Sequence, residues 1–354
     1  MKNLFLSPNA TIKEALKKLD QTAERTILVV DNKNKLIGAI SDGDVRRCLL
    51  LDSNMDRSVE NIYNKKPKFV YESNYDMDSV RKLFIDNKIE LLPILDNNHT
   101  VVNYITWAKA FDGKDEVPLK HEQINIPVII MAGGKGSRLE PFTNIFPKAL
   151  IPIGDKTVIE KIIDEFMKFG IRQFLFTVNY KAQIIESYFN TIDKGYEIKY
   201  IKEDRYLGTA GSLSLIKEHL NGSFIVSNCD IIVKANYADV LDFHKKQKSS
   251  LTILSSIQHH KIPYGVVNFS DGGRVTDIQE KPEFSFTINT GVYILNSEVL
   301  DLIPHNKEYD MPDLINKIRE TGGKVFTYPV NENDYIDIGQ WEEYKKLANK
   351  TGGA

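Results

Sequence analysis

Between Ile126 and Leu139 an apolar run opens directly into a glycine-rich turn, Met131-Ala132-Gly133-Gly134-Lys135-Gly136-Ser137-Arg138-Leu139. Ile126 to Ile130 is apolar and mostly β-branched, the composition of a parallel strand buried on both faces. A strand that ends in such a turn leaves bare backbone N–H groups at its carboxyl end. Those groups can surround phosphate oxygens, and the glycines let a ligand approach the backbone closely. Arg138 and, after Pro147, Lys148 add fixed positive charge beside the turn. The turn is not a Walker loop, because no Gly-Lys-Ser/Thr follows a first glycine at the required spacing. Taken alone, it fits a plain chain reversal as well as an anion cradle.

From about Ile124 onward, β-branched runs alternate with amphipathic patterns. Strands are expected at Phe174–Val178, Phe224–Val226, Leu251–Ser255, Val266–Phe269, Val275–Ile278 and Gly291–Leu295, and helices at Val158–Phe169, Ala182–Phe189 and Gly211–Leu220. This alternation predicts an α/β fold: a Rossmann-like, mostly parallel mixed sheet with helices on both faces. In such a sheet ligands bind beyond the carboxyl ends of the strands. Ile225-Val226-Ser227-Asn228-Cys229-Asp230 is an apolar strand ending in an acid, which places Asp230 to hold Mg²⁺ at a phosphate. Asp230 would serve equally as a turn or helix cap. Tyr335-Ile336-Asp337-Ile338-Gly339 ends in a second acid at a comparable position.

The turn with Arg138, Pro141 and Pro147-Lys148 at these spacings resembles the signature of sugar-1-phosphate nucleotidylyltransferases. The resemblance covers about residues 125–345 and implies a GT-A-like domain over 125–354. It implies that Ala132, Gly133, Gly134, Gly136 and Ser137 bind the nucleotide, with Arg138 and Lys148 on its phosphates. Asp230 and Asp337 would hold the Mg²⁺ cofactor, Asp337 by its place in a Trp/Tyr-x-Asp-x-Gly-like segment. Glu280-Lys281-Pro282 resembles the segment that grips the sugar phosphate, Glu280 on sugar hydroxyls and Lys281 on phosphate. Elsewhere such a dipeptide is ordinary solvated charge. Gly265 would present backbone to the sugar, and Asn289 and Thr290 side-chain contacts. Leu207-Gly208-Thr209-Ala210-Gly211 opens an expected helix, where small residues let a flat base lie against backbone and Thr209 can also cap. Its wording is most like the mannose-1-phosphate guanylyltransferase branch, and Asn179 is a base contact by matched position. No hexapeptide repeat follows Asp337.

The first third of the chain carries an internal repeat with an offset of 65 positions: Leu28-Val29-Val30-Asp31-Asn32 recurs as Pro93-Ile94-Leu95-Asp96-Asn97. Each unit reads as helix, strand, tight turn, strand, helix, the last helices starting at Asp42 and Trp107. Units this small are expected to pack together. The pattern resembles a tandem pair of cystathionine-β-synthase (CBS) domains, 1–57 and 58–115, followed by a charged linker at 116–124 that leads into the domain at 125–354. In that family a Ser/Thr followed three residues later by Asp holds a nucleotide ribose. Ser41 and Asp44 fit this in the first unit and imply an adenine nucleotide as a partner. Ser41 is equally suited to cap the helix that follows. In the second unit Thr106 is followed by Lys109, a departure that puts a second ribose site in doubt.

The chain has 46 Lys and Arg against 48 Asp and Glu, so it has no broad basic field to displace counterions from nucleic acid. Cys48 and Cys229 stand too far apart in sequence to suggest a disulfide framework or zinc site, and the adjacent His259 and His260 would diverge on a strand. The polar start argues against a secretory signal, and no apolar run nears the roughly 20 residues of a membrane span. A cytoplasmic protein is expected, and the CBS pair suggests a homodimer. A CBS pair ahead of this transferase resembles the glucosamine-1-phosphate guanylyltransferases of bacterial legionaminic acid synthesis. That implies GTP and glucosamine 1-phosphate as substrates and GDP-glucosamine as product. The alternatives are mannose 1-phosphate with GTP, or glucose 1-phosphate with UTP, dTTP or CTP. A regulatory adenylate sensor with a decayed transferase site is the rival from another class. Lys148, Asp230, Lys281 and Asp337 are all in place, which argues against decay.

Overall fold

The computed structural model describes residues 3–22, 24–87, 89–106, 109–110, 122–339, 341 and 344–345. The chain divides into two compact units, 1–121 and 122–354.

The first unit contains β1 (Phe5–Leu6), α1 (Ile12–Thr22), β2 (Thr26–Val30), β3 (Leu36–Ser41), α2 (Asp42–Leu51), β4 (Val70–Tyr71), α3 (Met77–Asn87), β5 (Leu91–Leu95) and β6 (Val101–Thr106). Phe5 and Val70, Ile12 and Met77, Thr26 and Leu91, and Leu36 and Val101 open matching elements, each pair 65 positions apart. The repeat in sequence is thus a repeat in structure, with a short parallel strand added ahead of each helix. The same turn closes both hairpins. Asp31 accepts from Lys33 N and Lys35 N, both at 2.8 Å, and Asp96 from Asn98 N and Thr100 N, both at 2.8 Å. These backbone donors, led by Lys35 and by Thr100, hold both carboxyls below their ordinary range. The two repeats share one core through Leu28, Val30, Leu91, Leu95 and Tyr104, and Leu36 N bonds His99 O at 3.1 Å across them. Residues 111–121, most of the expected linker, and Trp107 at the start of the expected last helix lie outside the described residues.

In the second unit a seven-stranded sheet runs through β7 (Val128–Ala132), β10 (Gln173–Val178), β11 (Glu197–Lys202), β12 (Ser223–Asn228), β14 (Leu251–Lys261), β17 (Glu283–Asn296) and β18 (Val325–Val330). The spatial order is β11-β10-β7-β12-β17-β14-β18. β11, β10, β7 and β12 are mutually parallel, and β17 runs antiparallel between β12 and β14. The small pairs β8 (Pro152–Ile153) with β9 (Lys156–Thr157), β13 (Ile231–Val233) with β19 (Tyr335–Asp337), and β15 (Val266–Phe269) with β16 (Val275–Gln279) lie outside it.

Four helices flank these strands: α4 (Val158–Met167), α5 (Ala182–Thr191), α6 (Tyr237–Lys246) and α7 (Met311–Glu320). α4 starts at a capping box, in which Thr157 N donates to Glu160 at 2.8 Å. It buries Val158, Ile159, Ile162, Ile163 and Phe166, one face at helical spacing. α7 buries Met311, Leu314 and Ile318 against Phe224, Val226 and Leu295, each worth roughly 1.5–3 kcal/mol by transfer. The helix expected over Gly211–Leu220 is instead a short turn at Gly208–Gly211 followed by 3₁₀ turns at Ser212–Leu215 and Lys217–His219. Ala210, Leu213 and Ile216 are buried at a spacing of three that suits a 3₁₀ repeat, and Ser212 and Leu220 are buried as well. Ser214 Oγ also bonds Gly211 O at 2.7 Å, competing with the helical pattern.

Candidate active site

The glycine-rich turn leaves the carboxyl end of β7, and its first glycine is buried. Lys148 follows in a 3₁₀ turn whose entry is fixed by Pro147, and its stem packs against Gly136. Asp230 follows the adjacent strand β12, in the turn before β13. β13 pairs antiparallel with β19 in the register Ile231↔Asp337, and Ile338 N bonds Asp230 O at 2.9 Å. Two acids more than a hundred positions apart in sequence thus meet through a two-stranded ladder.

Gly339 shows how closely these groups gather. A Cβ built there would stand 2.7 Å from Asp230 Oδ2, 2.9 Å from Asp337 Oδ1 and 3.0 Å from Lys148 Nζ. Only glycine fits without displacing one of them. Lys148 and Asp230 form a half-buried ion pair, and Gly339 N donates to Asp337 Oδ1 at 2.7 Å. Burial pushes the Asp337 carboxyl up, the neighbouring Asp230 charge adds to this, and the Gly339 N–H, Lys148 and Arg138 oppose it. Arg138 itself is exposed at the turn, as are Gly134 and Ser137.

Two carboxylates in such a setting suit Mg²⁺, a hard cation that keeps several waters and takes one or two acids plus substrate phosphates. Among the described residues no set of three or more His, Cys, Asp or Glu side chains forms a metal cage, and an ion of this kind does not require one.

On the expected base side, Asn179 donates to Glu203 O at 2.7 Å. Glu203 is 7% exposed. Its Oε2 accepts from Leu207 N at 3.1 Å, and its Oε1 lies 2.5 Å from where a Cβ of Gly133 would stand. Burial pushes its carboxyl above the usual range, against hydrogen bonds from Leu207 and Thr177. Sequence reasoning missed Glu203, although its place four residues before Leu207 was a visible signal. Thr209 was expected to bind nucleotide. Its hydroxyl bonds Asp310 Oδ1 at 3.1 Å and accepts from Met311 N at 2.8 Å, so it ties two segments together. Gly208 takes φ +78° and lies against Tyr309 O.

The expected sugar side is open. Glu280 and Lys281 follow β16 with side chains 72% and 58% exposed, 3.8 Å apart. Gly265 backs onto Glu280. The Asn289 amide donates to Tyr293 Oη at 2.7 Å, and its carbonyl oxygen accepts from Gly291 N at 3.0 Å. Thr290 departs from expectation. It is 1% exposed, and its hydroxyl donates to Leu254 O at 2.7 Å at a bulge where β17 has extra residues opposite β14. It holds the sheet and is not presented to a ligand.

The model of the nucleotidyl transferase family matches residues 127–352. The chain belongs to that family. The CBS domain model matches residues 1–51, giving the transferase an N-terminal CBS domain. Among curated relatives, a UTP–glucose-1-phosphate uridylyltransferase of Synechocystis is 33% identical over 237 residues, 61% of either chain. A mannose-1-phosphate guanylyltransferase catalytic subunit beta of Dictyostelium discoideum is 36% identical over 223 residues, 61% of this chain and 62% of that one. The chain thus spans about three fifths of the length of these relatives. The crystal structure of HddC from Yersinia pseudotuberculosis superposes with a TM-score of 0.51 at 25% identity, covering 64% of this chain and 99% of that one. No helix among the described residues is long and apolar enough to cross a membrane.

In the first unit, Ser41 and Asp44 form a capping box on α2. Asp44 Oδ2 accepts from Ser41 N at 2.9 Å and Ser41 Oγ at 2.7 Å, and Oδ1 from Arg47 at 2.6 Å. At the matching place in the second repeat, Lys109 N donates to Thr106 Oγ1 at 3.4 Å, and the ammonium lies over the Tyr104 ring, 5.2 Å from its centroid.

Proposed function

We propose that this transferase moves a nucleoside monophosphate from a nucleoside triphosphate to a sugar 1-phosphate with release of pyrophosphate, and that the substrates are GTP and glucosamine 1-phosphate. The product would be GDP-glucosamine, a donor for legionaminic acid synthesis. The observation that carries the reaction class is the gathering of Asp230, Asp337 and Lys148 around Gly339, one strand-end away from the glycine-rich turn. The Leu207–Gly211 turn and the Dictyostelium relative support guanine. They also support mannose 1-phosphate as the second candidate sugar.

The acceptor's phosphate oxygen is already anionic, so attack on the α-phosphorus in line with pyrophosphate needs no general base. The protein's work is positioning and charge stabilisation. Lys148 would leave Asp230 for the α-phosphate, and Arg138 would steady the departing β- and γ-phosphates. Each contact of this kind is worth about 10²–10³ in rate. Asp230 and Asp337 would hold Mg²⁺, which supplies a charge clamp on the phosphates when bound. Glu280 and Lys281 would orient the sugar phosphate.

Pyrophosphate release, measured over GTP, UTP, dTTP, CTP and ATP against glucosamine, mannose and glucose 1-phosphates, tests this. GTP with glucosamine 1-phosphate should give the highest kcat/KM. Preference for another pair would overturn the substrate assignment, and no turnover with any pair would overturn the transferase reading. For the first unit we propose one adenylate site, with Asp44 accepting from the ribose hydroxyls. Calorimetry with AMP, ADP and ATP should show binding to wild type and none to Asp44→Ala. Absence of heat and of thermal shift in wild type would leave Ser41 and Asp44 as a helix cap only.

A further inference from the structure

The turn Leu207–Gly211 is locked to the start of α7 by contacts from both segments. Tyr309 N donates to Leu207 O, and Ala210 N and Gly211 N both donate to Tyr309 O, each at 2.9 Å. Thr209 N donates to Asp310 Oδ1 at 2.9 Å and Thr209 Oγ1 to the same oxygen at 3.1 Å, while Met311 N donates back to Thr209 Oγ1 at 2.8 Å. From the other end the turn is held by Glu203, through Leu207 N, and Glu203 abuts Gly133 of the phosphate turn. One carboxylate, Asp310, is therefore the only side chain among these contacts that reaches the middle of the turn from another segment.

We propose that Asp310 is a positioning residue for the nucleoside triphosphate: it fixes the Gly208–Gly211 backbone at the distance from Gly133 that a bound nucleotide needs. The inference rests on the transferase reading, and in particular on the base lying against this turn. A carboxylate accepting two hydrogen bonds is a stronger tether than a neutral oxygen. Asp310 also stands at the N-cap of α7, where Asp313 returns a bond to its N–H at 3.4 Å. A change at Asp310 can thus affect the helix as well as the turn, and the test must tell the two apart.

The experiment compares wild type, Asp310→Ala, Asp310→Asn and Thr209→Val by steady-state kinetics with each substrate varied in turn, and by thermal melting. The GTP affinity of each is also measured calorimetrically without sugar phosphate. Asp310→Ala should raise KM and Kd for GTP about fivefold or more while changing the sugar-phosphate KM less than about twofold, since the turn it registers lies on the triphosphate side of the proposed site. Asp310→Asn, which keeps an acceptor and a cap, should recover most of that loss. Thr209→Val keeps Asp310 at the N-cap of α7 but removes the hydroxyl that accepts from Met311 N; read together with its melting temperature it should show the same selective effect, and it stands in if Asp310→Ala does not fold. A lowered melting temperature with GTP affinity unchanged, or an equal rise in both KM values, overturns the proposal. Failure of wild type to bind GTP or any other triphosphate overturns the transferase reading itself, and this proposal with it.

Discussion

The two sides of the proposed site, the one expected to take the triphosphate and the one expected to take the sugar phosphate, are built differently. On the triphosphate side, Glu203 is buried against Gly133, Thr209 is tied to Asp310, and Asp337 is held by Gly339. On the sugar side, Glu280 and Lys281 reach into solvent with little but each other. The neighbouring β15–β16 hairpin, outside the main sheet, exposes Val267, Phe269, Val275 and Ile278. A braced site meets its ligand with little ordering left to do, while long exposed side chains lose rotamer freedom on binding, roughly 0.5–1.5 kcal/mol each. The contrast suggests a preformed triphosphate side and a sugar side completed by its ligand.

The largest effect should come from the braced side. Asp230→Asn and Asp337→Asn each remove one charge from the gathering at Gly339 at nearly constant shape. Each should lower kcat about 100-fold or more, because a metal ligand lost at the reacting phosphate acts on the transition state. A variant that kept more than about a tenth of wild-type kcat at saturating Mg²⁺ would rule out its ligand role, since the barrier would then have risen by less than about 1.4 kcal/mol.

Glycine substitutions probe the same contrast through stability. An alanine at Gly208 must hold φ near +78° and set its Cβ 2.7 Å from Tyr309 O. At Gly272, in the exposed hairpin turn, φ is +77° with nothing within 4 Å. Gly272→Ala should cost only the backbone strain of about 1 kcal/mol, and Gly208→Ala about 1–3 kcal/mol or more, because strain and collision add. Urea denaturation at constant slope would measure both. Equal losses would mean that the turn at Gly208 yields as freely as the hairpin.

Lys281→Ala addresses the open side directly. It should raise KM for the sugar phosphate about tenfold and leave the triphosphate KM nearly unchanged, since an exposed ammonium contributes mostly ground-state binding. Selective loss of triphosphate affinity instead would place Lys281 on the wrong substrate and erase the distinction between the sides.

What the sequence disclosed follows the same division. Local pattern and the rule about parallel-sheet termini marked the glycine-rich turn and Asp230 as candidates, while the roles expected of Lys148 and Asp337 came from the resemblance of their segments to the family. The repeat of the first unit was legible because its offset of 65 positions holds, among the described residues, through three strands and one helix of each unit. Glu203 was missed although its bond to Leu207 N spans only four residues, and Asp310 because its pairing with Thr209 joins segments about a hundred positions apart. Thr290 was misplaced as well. Its neighbour Asn289 is exposed, but a bulge turns Thr290 inward, and Gly291 at φ +82° inside the strand was the local sign of that bulge. The helix expected at Gly211–Leu220 breaks into short turns, where Ser214 Oγ bonds Gly211 O and competes with the helical pattern.

The smallest expected effect lies at the end of the sheet away from both sides, and it separates stability from substrate binding. At the amino end of β12, opposite Asn228, Ser223 bonds Asn296 at 2.7 Å. The His244 ring meets Asn296 Oδ1 at 3.1 Å and Thr252 Oγ1 at 2.8 Å. His244 is 1% exposed. Burial pushes its pKa below the ordinary histidine value, and the Lys245 charge acts the same way, against the bond to Asn296. The folded state therefore prefers the neutral ring. Above the unfolded value of about 6.5 both states are neutral and this preference is fully present. As pH falls below that value the unfolded chain takes the proton first, and stability declines until the folded value is passed, by at most about 1.4 kcal/mol per pH unit for one group. Denaturation midpoints at pH 7.5 and 5.5 should fall further for wild type than for His244→Gln. Neither substrate's KM at pH 7.5 should shift selectively in that variant. An identical pH dependence in the two proteins would remove His244 as the cause, and a selective shift in one KM would show that the braced and open sides are not independent of this end of the sheet.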